Sequence, residues 1–187
     1  MGSPSDDEVI AATRAWLERA VIGLGLCPFA KAVHVKDQIR YVVSRARNSD
    51  VLLEHLEREL DALAAAPPDE VDTTLLIHPD VLEDFLDYND FLELADRVVE
   101  ELGYAGVLQV ASFHPRYQFE GTDADDITNY TNRSPYPILH VLREASVDQA
   151  VAAFPEAEKI FEKNIETMRR LGKDGWEKLF PPPQGEG

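Results

Sequence analysis

Apolar residues recur at helical spacing from Ser5 to Leu24, where Val9, Ile10, Thr13, Trp16, Leu17, Ala20, Val21 and Leu24 share one stripe. Ser5 and Glu8 have capping-box form at its start. Gly23 and Gly25 offer left-handed stops at its end, and Pro28 directs Cys27 towards an extended backbone. The pattern then changes. Ile39 to Ser44 is β-branched and aromatic, as in a strand, and Asn48 and Ser49 cap a helix from Asp50 to Ala65 that turns Leu52, Leu53, Leu56, Leu60 and Leu63 inward. Pro67 and Pro68 end that helix. Thr73 to His78 reads as a strand buried on both faces, Asp80 to Leu102 as a helix closed by Gly103, and Val107 to His114 as another buried strand.

Strand, helix, strand in repetition is the signature of βαβ units. The pattern predicts an α/β fold with a parallel or mixed sheet of three to five strands flanked by helices. The competing arrangement is ferredoxin-like α+β, with a weak strand at Ala32 to Val35 paired as a hairpin with Ile39 to Ser44. Pro115 to Pro137 has no clear period, yet its aromatic content predicts an ordered loop. From Ile138 the pattern reads as helix, broken near Phe154 and Pro155 before a last helix to Leu171. Residues 1–180 are expected to form one globular domain and residues 181–187 a flexible tail.

Composition narrows the function classes. With 18 basic against 35 acidic residues in 187, the formal charge of −17 repels phosphate backbones and anionic lipid, which argues against nucleic-acid or membrane partners. No apolar run reaches the roughly 18 residues a membrane span needs. The N-terminus lacks the basic start and apolar stretch of a secretory signal, so a cytoplasmic protein is expected. The one cysteine, Cys27, can form no intrachain disulfide.

Candidate chemistry gathers late in the chain. Two strands end alike, in Ile77-His78-Pro79 and Phe113-His114-Pro115, which puts both histidines along the sheet edge where open α/β folds bind ligands. Each could equally hydrogen-bond a loop carbonyl. His140, Arg143 and Glu144 would share neighbouring faces of the helix expected to start at Ile138. Arg116, Arg133 and Arg143 offer guanidinium forks for an anion, with Asn129, Asn132 and Ser134 adding neutral hydrogen bonds. Cys27 reads either as a buried small hydrophobe or as a nucleophile. Asp123, Asp125 and Asp126 could bind a hard cation, but lack the glycine turn and distal glutamate of a calcium loop.

The blocks Leu26 to Lys31, Phe113 to Phe119, Asn129 to Pro137 and His140 to Glu144 together resemble the bacterial domain-of-unknown-function 1415 family over nearly the whole chain. The resemblance brings no activity, cofactor or catalytic residue with it. It implies that Cys27, His114, Asn132, Arg133, His140, Arg143 and Glu144 belong to one shared site.

Three functions follow as expectations. The first is an enzyme, a hydrolase or transferase, acting on a small anionic metabolite held by Arg116, Tyr117, Asn129, Asn132, Arg133 and Arg143. His114, His140 and Glu144 would supply its acid/base groups, and Cys27 its nucleophile. The second is a metal-dependent enzyme in which His78, His114 and His140, with Glu144 or Asp126, hold one transition metal. The third is a non-catalytic module whose loop aromatics pack against a partner or a second copy of the chain.

Overall fold

The computed structural model describes residues 2–181. Its centre is a sheet of four strands: β1 (Ile39–Val43), β2 (Thr73–Ile77), β3 (Leu108–Phe113) and β4 (Ile138–Arg143), in the order β1-β2-β4-β3. β1 and β2 are parallel, whereas β4 runs antiparallel to both β2 and β3. The sheet is therefore mixed, and the C-terminal ends of β1, β2 and β3 share one edge. The α/β reading holds. The ferredoxin-like hairpin does not form, because Ala30–Val35 is a short helix, α2.

One correction alters the site. Ile138 to Arg143 is the strand β4 and not the start of a helix. It lies between two partners and is covered on both faces, so its apolar residues run on without alternation. The helix starts only at Glu144, as α5 (Glu144–Ala153).

Helices cover both faces. On one, α3 (Ser49–Ala65) and α4 (Phe85–Glu101) bury Leu52, Leu56, Leu60, Leu63, Tyr88, Phe91, Ala95 and Val98 against Leu76, Leu139 and Val141. On the other, α1 (Asp6–Trp16) runs on as a π-helical stretch over Leu17–Ile22, so that Val9, Trp16, Leu17, Ala20 and Val21 meet Leu75, Ile77 and Ile138. The last helix, α6 (Ile160–Leu179), brings Trp176 and Leu179 to the same side. It is interrupted at Gly172, whose φ of 67° is a left-handed conformation that glycine adopts without steric cost.

The N-caps of α1 and α3 form as the sequence predicts. Ser5 and Glu8 bond reciprocally at the start of α1, and the Asn48 side chain accepts from Val51 N–H at the start of α3. Gly25, at φ 67°, makes the left-handed turn after the π-helical stretch, whereas Gly23 stays right-handed. α4 begins at Phe85 and not Asp80, because Asp84 is its N-cap and Leu82, at φ 60°, breaks the helical path. Of the tail expected at 181–187, residues 182–187 lie outside the described residues. No helix among the described residues is long and apolar enough to cross a membrane.

Candidate functional site

The strand-end histidines sit at one sheet edge, on the α3/α4 face, where three of their four ring nitrogens are bonded. His114 is buried; its Nε2 donates to Leu82 O at 2.9 Å and its Nδ1 accepts from Arg116 N–H at 3.0 Å. His78 is also buried, and its Nδ1 donates to Val81 O at 3.1 Å, while Nε2 has no partner among the described residues. Both rings pack on Tyr88, at 5.8 and 4.8 Å between centroids. Burial disfavours the imidazolium, pushing His78 down to about 4 and His114 also downward. This is a neutral cluster that folds the turn at Leu82 onto α4.

The loop residues expected to hold an anion serve the loop itself. Asn129 accepts from Phe119 N–H and the Thr122 hydroxyl, each at 2.9 Å, and donates to Asp123 O at 2.8 Å. Arg133 donates to Tyr117 O at 3.0 Å and to Ala124 O, and lies over the Tyr130 ring. Asn132 donates to Ser112 O, and Arg116 is exposed. Tyr117 packs between Phe85 and Phe119. These bonds supply the order that the missing period concealed.

β4 separates the remaining candidates. Because it is antiparallel, Arg143 ends at the opposite edge, where one guanidinium nitrogen donates to the carbonyls of Leu63, Ala66 and Val71 at 2.8, 2.7 and 2.9 Å. There it closes the C-terminal end of α3. Glu144, half-buried, bonds through its backbone to Val107 O.

His140 stands opposite Leu75 on β2 and Ala111 on β3, on the face away from His78 and His114. The three histidines do not converge. No group of three or more His, Cys, Asp or Glu side chains is placed to hold a metal among the described residues.

His140 shares a cavity wall with Cys27. Both line a cavity of about 300 Å³ between the sheet and the helices α1, α2 and α5. Its walls are largely apolar: Trp16, Leu17, Val21, Phe29, Val33, Leu75, Ala111, Phe113, Leu142 and Val147. Backbone bonds shape the turn that carries Cys27: Leu26 N–H donates to Val21 O at 2.9 Å, and Asn164 of α6 donates to Leu26 O at 3.0 Å. Ser146 of α5 donates to Asp72 at 2.6 Å, pinning the helix that covers the cavity. The Trp16 indole N–H is itself buried, without a partner among the described residues.

His140 Nε2 lies 2.7 Å from the Thr73 hydroxyl, which is itself 2.7 Å from Val141 O. Burial pushes this imidazole down to about 4, so it is neutral at physiological pH. Cys27 and His140 were legible in the sequence as candidates. The cavity residues Trp16, Thr73 and Ala111 were not, since each reads there as ordinary core.

The chain belongs to the family described as protein of unknown function (DUF1415), whose model matches residues 8–178, in agreement with the resemblance of its four motif blocks. No curated protein and no solved structure matches it.

Proposed function

We propose that this member of the family binds a small, neutral and largely apolar molecule in the cavity between the sheet and α1, α2 and α5. One observation carries the reading: an apolar cavity of about 300 Å³ lined by both Cys27 and His140. Small-molecule sites are typically concave and apolar, with a few placed polar groups. The volume suits a ligand of one or two rings. Any reaction on it would fall to Cys27 and His140, which narrows the enzyme reading of the sequence to those two residues.

A neutral ligand fits better than an anion. Among the described residues no arginine or lysine lines the cavity, and the one carboxyl in its wall, Asp72, repels negative charge. The forks of Arg133 and Arg143 are bonded to carbonyls elsewhere.

Trp16 makes the test direct. The chain has two tryptophans, so Trp176→Phe leaves Trp16 as the only indole fluorophore, at the cavity wall. Titration with toluene is expected to change its emission saturably at one molecule per chain. Ala111→Phe, which places a ring in the cavity, is expected to abolish the change. No saturable response in the first protein, or an equal response in both, would overturn the reading.

A further inference from the structure

We infer that the cavity selects ligands bearing a neutral O–H or N–H group, and that Nδ1 of His140 accepts that hydrogen. The inference rests on the cavity reading above and specifies its ligand class.

Thr73 is 4% exposed, and its hydroxyl oxygen stands 2.7 Å from both Val141 O and His140 Nε2. A carbonyl only accepts, so the single hydroxyl hydrogen goes to Val141 O. The Thr73 oxygen can then only accept from the ring, which places the imidazole hydrogen on Nε2.

A neutral imidazole has one hydrogen, so Nδ1 carries a lone pair. No side chain or backbone group among the described residues bonds to it. The charged form, which would turn Nδ1 into a donor, is disfavoured by desolvation, and no carboxylate among the described residues bonds to the ring. The cavity therefore presents a fixed acceptor on an apolar wall.

That geometry sorts ligands of one shape by their polar group. Phenol can donate to Nδ1. Toluene fills the same space and leaves the lone pair unmet, and benzoate would bring a second acceptor, with its charge, towards Nδ1 and Asp72. A net hydrogen bond of this kind corresponds to roughly three- to tenfold in affinity.

The experiment is a titration of the full chain with phenol, toluene and benzoate, together with ¹⁵N shifts of the His140 ring at pH 7. Expected are phenol about three- to tenfold tighter than toluene, benzoate weakest, and a phenol preference that disappears in His140→Phe. In the ring spectrum, Nε2 should carry the hydrogen and the Nδ1 signal should move on adding phenol.

Equal affinities for phenol and toluene would overturn the selection while leaving the cavity reading intact. Failure of all three ligands to bind would overturn both. A phenol preference that survives His140→Phe would remove His140 from the role. Should that variant not fold, a wild-type ring with its hydrogen on Nδ1 would overturn the inference by itself.

Discussion

At the residue scale, the polar side chains the sequence singles out divide into those the fold consumes and those it leaves facing a cavity. Arg143 belongs to the first group. Its bonds to Leu63, Ala66 and Val71 cross up to 80 positions in sequence, which no local pattern can announce. Arg143→Met strands the carbonyls of Ala66 and Val71 and leaves Leu63 O only the Ala66 N–H, and urea unfolding should show a loss of about 3 kcal/mol. An unchanged midpoint would contradict the assigned role.

His78 and His140 tie stability to pH. Folded, each stays neutral down to about pH 4, whereas the unfolded chain takes up protons below the ordinary value of 6.5. Between those values the unfolded state binds more protons, so stability falls as pH falls from 6.5 to 4. Above 6.5 these two residues contribute no slope. Urea midpoints at constant salt should therefore decline from pH 7 to 4.5, with a shallower decline in His140→Phe. A flat profile would show that the imidazoles are solvated.

At the element scale, α1, β1, α3, β2, α4 and β3 were legible because each has a period, a cap or a stop of its own. β4 was not. Its sequence Ile-Leu-His-Val-Leu-Arg is apolar on both sides because both sides are covered, and no turn residue separates Arg143 from α5. Calling it helix placed His140, Arg143 and Glu144 on one surface. As a strand, it sends His140 into the cavity and Arg143 to the far edge.

The same contrast predicts dynamics. β4 is hydrogen-bonded on both sides, whereas α5 has no buried residue and no side-chain cap, and is pinned by Ser146 to Asp72. Amide exchange should be slowest in β4 and faster in α5 than in α3 or α4. Ser146→Ala should speed exchange in α5 and leave β4 unchanged. Protection in α5 equal to that in α4 would contradict its description as a light cover.

At the scale of the whole molecule, the sequence identified the fold class and the sheet edge correctly, but not which face holds open space. Cavities arise from the sizes of side chains that meet only after folding, such as Ala111 opposite His140 and Trp16 beside Phe113. The strand-end histidines pointed to an edge that is filled, and their neutral stacking on Tyr88 explains why. Cys27 and His140 are the candidates of the sequence that also line the cavity.

Alkylation of Cys27, the single cysteine, by N-ethylmaleimide with and without toluene tests the central claim most directly. If the cavity binds the ligand against the thiol, toluene at about 100 times its Kd should slow the reaction by roughly 100-fold. Ala111→Phe should be slow from the start and insensitive to toluene. A wild-type rate that saturating toluene leaves unchanged would contradict the account.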